Sequence, residues 1–291
     1  MYLVIDVGAT YTKYGYFKKD GAKIEDGKIP TVKTNKEEFY QSLLQLKQPH
    51  LKGIACSMPG LIDSEQGIIH AITLLPFLKN TNVKDELSHL FQLPVTLEND
   101  AKCATYGEMW KGSLQNIQNG LFIVFGSGIG GTIILDRKIV KSPRYKAGEI
   151  GSILMPLDNQ YNTITNFGKN NNANTIIKKL SQIMKCDNDG IIVFNKLPFY
   201  AEAYQYFQTY CKEIALIIYN LDYILDLDVV CIGGGISEQP LFTKTIQEQF
   251  DYLRNTYQED YHQPTITTCQ YFNEANLLGA LFYHLQYTST N

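Results

Sequence analysis

Three glycine-bearing turns, each directly after a short apolar segment, constrain this chain more than any other feature. They are Asp6-Val7-Gly8-Ala9-Thr10-Tyr11-Thr12-Lys13, Gly126-Ser127-Gly128-Ile129-Gly130-Gly131 and Gly233-Gly234-Gly235. Turns with so little side-chain bulk let backbone N–H groups come close to anionic oxygens. Between the first and second lies Glu98-Asn99-Asp100, which opens a helix-like run over residues 100–111.

Around these turns the sequence alternates between strand and helix patterns. Strands are expected at residues 2–7, 12–18, 24–30, 51–56 and 95–98. Helices are expected at 36–47, 83–91 and 99–111. The polar stretch 112–120 breaks this order and marks the best boundary, giving expected domains of 1–115 and 116–291, with the last helix able to pack back on the first domain. After it, residues 121–125 repeat the opening unit of strand, glycine turn and strand (132–135). This is a weak internal duplication. Residues 158–174, rich in Asn, read as a loop. Helices follow at 173–184, 199–225, 241–250 and 274–285, with a strand at 229–232 running into Gly233. The helix at 199–225 carries Phe207, Cys211, Ile214, Ile218, Leu221 and Leu225 on one stripe, as a core-facing helix does. The whole is an α/β layering.

Length favours two domains: 291 residues are many for one core. Net charge is -3 and there is no basic block, which argues against a nucleic-acid or anionic-membrane surface. No apolar run approaches the roughly 20 residues of a membrane span, and no secretory signal pattern opens the chain. The six cysteines form no C-x-C or C-x-x-C pair, and several sit in apolar runs. Buried free thiols in a reducing compartment, and hence a cytoplasmic protein, are expected.

Several of these residues carry candidate chemistry. Asp6 can hold a Mg²⁺ ion through its waters while Gly8, Ala9, Thr10 and Lys13 form a phosphate turn. The second turn satisfies G-x-G-x-x-G, but β-branched Thr132-Ile133-Ile134 follows where a dinucleotide-binding unit needs a helix. A hairpin gripping nucleotide phosphates is therefore expected, through Gly126, Ser127, Gly128, Gly130 and Gly131. No Walker A pattern exists. Asp100 can accept a hydroxyl proton, and Asn99 can both donate to and accept from neighbouring hydroxyls. Asn and Asp are also common helix N-caps, so the local pattern alone leaves both readings open. A carboxylate that takes a proton, with separate turns for phosphates, is the minimum set for moving a phosphoryl group onto a hydroxyl.

In this order and spacing the motifs resemble the ROK family of sugar kinases, from Ile5 to Gly279. The resemblance implies two actin-like ATPase (ribonuclease H-like) domains flanking a cleft. It implies ATP and Mg²⁺ as cofactors, a sugar as substrate, and Asp100 as general base. Gly233, Gly234 and Gly235 would border the adenosine. Pro59 and Gly60 resemble the family's P-G turn beside the sugar. Ala147-Gly148-Glu149-Ile150-Gly151-Ser152 resembles its A-G-E-x-G-H segment, with Glu149 on sugar hydroxyls. Two departures stand out. Ala9 replaces the usual Gly, and Ser152 replaces the His that most members use for sugar and zinc. With no cysteine cluster either, no zinc site is expected. The resemblance also implies a homodimer.

The leading expectation is an ATP-dependent kinase acting at the 6-hydroxyl of glucose or a β-glucoside. N-acetylhexosamine and fructose kinases of the same family are alternatives, as is a sugar-sensing transcriptional regulator. Such regulators carry a helix-turn-helix domain ahead of the kinase-like body, and Asp6 stands too near the first residue for one to be expected. A non-catalytic actin-like assembly protein would not require Asn99, Asp100 or Glu149.

Overall fold

The computed structural model describes residues 1–156, 162–257 and 262–289. Its contacts divide the chain into two compact units. The first is Met1–Gly112, Lys141–Lys146 and Glu274–Asn291; the second is Ser113–Val140 and Ala147–Asn273.

Unit one opens with β1 (Tyr2–Val7), β2 (Tyr11–Phe17) and β3 (Lys23–Pro30), an antiparallel meander. Helix α1 (Lys36–Leu44) leads to β4 (Ile54–Met58), parallel to β1. A small antiparallel sheet follows: β5 (Leu61–Asp63), β6 (Ile68–Ala71) and β7 (Thr81–Asn82). Then come α2 (Val83–Phe91), β8 (Val95–Asn99), parallel to β4, and α3 (Asp100–Lys111). The main sheet order is β3-β2-β1-β4-β8. Strands β1, β4 and β8 are nearly all buried, which is why they read as apolar runs rather than alternating patterns.

Unit two repeats that plan. Strands β9 (Gly120–Phe125), β10 (Ile129–Leu135) and β11 (Lys138–Ile139) form an antiparallel meander. A ribbon of β12 (Leu154–Pro156) and β13 (Ile164–Asn166) precedes α4 (Phe167–Asn170), α5 (Ala173–Met184), α6 (Gly190–Lys196) and α7 (Ala201–Leu225). Strand β14 (Val229–Gly233) lies parallel to β9, α8 (Pro240–Tyr257) follows, and β15 (Thr265–Thr268) lies parallel to β14. The sheet order β11-β10-β9-β14-β15 matches that of unit one, position by position and in strand direction. On α7, Phe207, Cys211, Ile214 and Ile218 are fully buried, with Leu221 and Leu225 half-buried beside them, as the stripe predicts.

The closing helix α9 (Ala275–Ser289) belongs to unit one and packs along α3. Two glycines permit the approach. A Cβ on Gly279 would stand 1.6 Å from the Cys103 carbonyl oxygen, and one on Gly107 would stand 2.4 Å from that of Ala275.

Several sequence expectations need correction. The strand expected at 51–56 begins at Ile54, because residues 51–53 only lead into the sheet. The stretch 158–174 is not one loop. Residues 158–161 lie outside the described residues, but Ile164–Asn166 pair with β12, and α4 follows at once. Neither short element carries enough periodicity to show in the sequence. The three-stranded sheet β5-β6-β7 and the seven-residue helix α6 are likewise too short to show in the sequence.

Candidate functional site

Most of the expected turns lie at the carboxyl ends of parallel strands within their own unit, where open α/β sheets bind ligands. In unit one, Asp6 lies near the end of β1, Pro59 follows β4, and Asn99 ends β8. In unit two, Gly126 follows β9, and Gly233 ends β14 with Gly234 next.

The first turn is closed by Gly8 N–H donating to the Tyr11 carbonyl at 3.1 Å. A Cβ on Gly8 would stand 2.9 Å from that oxygen, so the tightness of the turn requires glycine. Ala9 and Thr10 are exposed at its tip. Thr31, which the sequence reading missed, braces it. Its hydroxyl donates to the Gly8 carbonyl at 2.8 Å and its N–H to the Thr10 carbonyl at 3.1 Å. Asp6 is buried, and its Oδ1 accepts from Ser57 Oγ at 2.7 Å and Asn276 Nδ2 at 3.0 Å. Burial pushes its pKa above the usual carboxylate value, against the pull of both hydrogen bonds and of Lys13, its cross-strand partner on β2. Ser57 and Asn276 were likewise unread, since neither belongs to a local motif.

These groups fit a hydrated Mg²⁺ ion. One carboxylate oxygen is engaged by two donors, neither of which takes the other oxygen, and hard oxygen donors suit that ion. Among the described residues no three His, Cys, Asp or Glu side chains group as a cation cage.

The sugar-side candidates of unit one form a connected set. Gly60 sits at φ +121°, where a Cβ would stand 2.4 Å from the Ala71 carbonyl oxygen. Asn99 Nδ2 donates to the Gly60 carbonyl at 3.1 Å, while its Oδ1 caps α3 by accepting from Lys102 N–H at 3.2 Å. Asn99 is thus a helix cap and a brace on the Pro59-Gly60 turn at once, with one amide hydrogen beyond those bonds. Asp100 Oδ1 accepts from Ala101 N–H at 2.8 Å, which fixes the carboxylate at the start of α3. Behind both, Glu98 is 1% exposed, and its Oε1 accepts the Asn99 N–H at 2.8 Å.

In unit two the second turn joins β9 to β10 as an antiparallel hairpin, not a strand-to-helix turn. Gly126 N–H donates to the Gly128 carbonyl at 2.9 Å, and the Gly126 carbonyl accepts from Ala173 at 3.1 Å. No atom lies within 4 Å of a Cβ placed on Gly128 or Gly235, so packing does not explain those glycines. Gly130 and Gly131 lie within β10 itself. Gly131 has a packing reason: a Cβ there would stand 2.7 Å from the Gly148 carbonyl oxygen and 2.5 Å from Ile150 Cδ1. That contact seats the Gly148-Glu149-Ile150 segment on β10. Gly148 is at φ +87°, Ser152 is exposed, and its N–H donates to the Glu149 carbonyl at 3.0 Å. Gly234, at φ +89°, approaches the Phe125 carbonyl so closely that a Cβ would stand 2.1 Å away. A cavity of about 420 Å³ opens beside Gly126, Ser127 and Gly235 and reaches Asn174, Ile177, Ile191 and Glu238. Its far wall comes from α5 and α6, which no sequence motif had marked.

The model of the ROK family matches residues 2–286 of this chain. The chain belongs to the ROK family. It is similar to a β-glucoside kinase of Klebsiella pneumoniae, 26% identical over 97% of this chain and 95% of that one. A glucokinase of Halalkalibacterium halodurans is 28% identical over 86% of this chain and 85% of its own length. Among solved structures, a ROK family protein from Streptococcus pneumoniae TIGR4 in complex with sucrose is 27% identical. It superposes with a TM-score of 0.88, covering 100% of this chain and 99% of that one. The fold is thereby the actin-like ATPase fold, and the repeated sheet order is its duplicated half. Among the described residues no helix is long and apolar enough to cross a membrane.

Proposed function

We propose that the protein is an ATP-dependent sugar kinase that phosphorylates the 6-hydroxyl of a glucose-type hexose or β-glucoside. The observation that carries this reading is the linked pair of turns in unit one. Asp100 opens α3 beside Asn99, and Asn99 is bonded to Gly60. A base held at a helix start with an amide neighbour suits a sugar hydroxyl that must be oriented and deprotonated.

Asp100 takes the proton of the attacking hydroxyl as the oxygen meets the γ-phosphorus. Asn99, Gly60 and Glu149 hold neighbouring hydroxyls. Backbone N–H groups of the Gly8-Ala9-Thr10 turn and of the hairpin at Gly126–Gly128 receive phosphate oxygens, and the cavity beside Gly235 takes the adenosine. Lys13 adds positive charge near the first turn. Asp6 would hold Mg²⁺ through its waters, which when bound neutralises charge on the transferring phosphates. No zinc is proposed, since Ser152 stands where a ligating His would.

The two relatives named above are a β-glucoside kinase and a glucokinase, and the neighbouring structure is a complex with sucrose. These support the class and leave the sugar to experiment. ADP release is measured over a panel of glucose, N-acetylglucosamine, N-acetylmannosamine, fructose, cellobiose and an aryl β-glucoside. Turnover with glucose or a β-glucoside above the others is expected. ADP release that no sugar stimulates would remove the kinase reading.

A further inference from the structure

Lys141 has no part in the assignments above, yet it joins the two halves of the sugar-side set in unit one. Its ammonium forms an ion pair with Glu98 Oε2 at 3.3 Å. It also donates to Ser64 Oγ at 2.6 Å and lies 4.8 Å from the Tyr283 ring centre. Glu98 holds the Asn99 N–H through its other oxygen. Ser64 follows β5, the strand that leaves the Gly60 turn. Lys141 therefore spans from the Asn99-Asp100 turn to the hairpin carrying Gly60. A second bond fastens the same segment there, with Tyr145 Oη donating to Asp63 Oδ2 at 2.7 Å. Eight residues beyond Lys141 comes Glu149, the remaining sugar candidate.

Stability alone does not account for this arrangement. A carboxylate 1% exposed is costly to bury, and apolar groups of like volume commonly serve a core as well or better. Burial pulls the Lys141 ammonium down, but Glu98 and Tyr283 together more than offset this, and its pKa stands above the ordinary lysine value. A charged pair kept behind a reacting turn fits a positioning role.

We propose that Lys141 and Glu98 are positioning residues for phosphoryl transfer, the ion pair fixing the Asn99-Asp100 turn against the Gly60 hairpin. This rests on the sugar-kinase reading. The pair touches no substrate. It sets the angle at which Asp100 meets the hydroxyl, a geometry to which transfer rates are sensitive.

The test is steady-state kinetics on wild type, Lys141→Met, Lys141→Arg, Glu98→Gln and the double variant Glu98→Gln/Lys141→Met, with the sugar wild type uses best. In Lys141→Met, kcat is expected to fall about 10- to 100-fold while the KM for ATP stays within about threefold. Lys141→Arg is expected to restore kcat to within about threefold of wild type, since it keeps the charge. The double variant should be no worse than the poorer single, because the two side chains act as a unit. A Lys141→Met enzyme with kcat within about twofold of wild type overturns the proposal. So does a double variant whose losses multiply, or a Lys141→Arg enzyme as poor as Lys141→Met. Should Lys141→Met not fold, the arginine and glutamine variants decide: wild-type kcat in Glu98→Gln overturns the pair's role. Wild type that phosphorylates no sugar overturns the kinase reading itself, an outcome distinct from an active wild type with unaffected variants.

Discussion

The proposed base, Asp100, can be tested by changing a single atom. Asp100→Asn keeps the size, and its amide oxygen can still accept the Ala101 N–H, so α3 retains its first bond. It cannot take a proton. We expect kcat to fall by at least about 100-fold with unfolding free energy nearly unchanged, read by coupled assay and urea titration. Turnover near that of wild type would remove Asp100 as the base. Asp6, Gly8, Asn99 and Asp100 were legible in the sequence because each sits in a contiguous motif with a local mechanical reason. Thr31, Ser57 and Asn276 were not. They reach the same turn from β-sheet neighbours and from a helix 270 residues away, and nothing in the local spacing marks them. Gly131 carries a further constraint that the sequence did not show. It belongs to a glycine motif, but the structure gives it a packing reason against Gly148 and Ile150.

Helices α3 and α9 meet through glycine, and that contact is the least forgiving between elements of unit one. Gly279→Ala would drive a methyl group into the Cys103 carbonyl, and both partners are backbone, so neither can rotate aside. The helices would have to separate, at an expected cost of about 3 kcal/mol in unfolding free energy. Denaturant titration of the variant tests this, and a loss below about 0.5 kcal/mol would refute it. The same helix carries a titrating group. His284 is 1% exposed, bonded to Thr96 at 3.0 Å, and edge-on to Tyr2. Burial lowers its pKa to about 4 from the ordinary 6.5. Between those values the unfolded chain binds the proton and the folded one does not. This contribution is therefore fully present above pH 6.5 and is lost as pH falls towards 4, by roughly 3 kcal/mol at most. Comparing wild type with His284→Gln at pH 7, 5.5 and 4.5 isolates it from Asp6, whose raised pKa acts with the opposite sign. The variant should show a shallower acid loss, and equal slopes would show that His284 does not couple to folding. In the sequence α3 was clear, because Asn99 caps a twelve-residue helix. Its partner α9 was visible as a helix, but the glycine crossing was not, since Gly107 and Gly279 look ordinary in their own helices.

At the scale of the whole molecule the duplication is the main lesson. Only one repeated strand–turn–strand unit could be read, yet the two sheets share one strand order, β3-β2-β1-β4-β8 and β11-β10-β9-β14-β15. Sheet order depends on crossovers and long-range pairing, which periodicity does not report. Fold and reaction class were legible because the turns sit at equivalent strand ends of each half. The sugar was not, because the spacing of the motifs does not report which hydroxyls they would meet. We infer that Ser152, smaller than the His the family usually has there, leaves room at the anomeric side. Gly151 and Gly168 pack the segment tightly, with a Cβ on Gly151 only 2.2 Å from the Ile129 carbonyl oxygen. Ser152 itself is exposed, so its size bears on what approaches it. At least one β-glucoside, cellobiose or an aryl glucoside, is expected to reach a kcat/KM within about tenfold of that for glucose. Ser152→His should then reduce the β-glucoside value more than the glucose value, because the ring would occupy the aglycone's space. If every β-glucoside is poorer than glucose by more than about 100-fold, some 2.7 kcal/mol of transition-state binding, the open-pocket reading fails and a plain glucokinase remains.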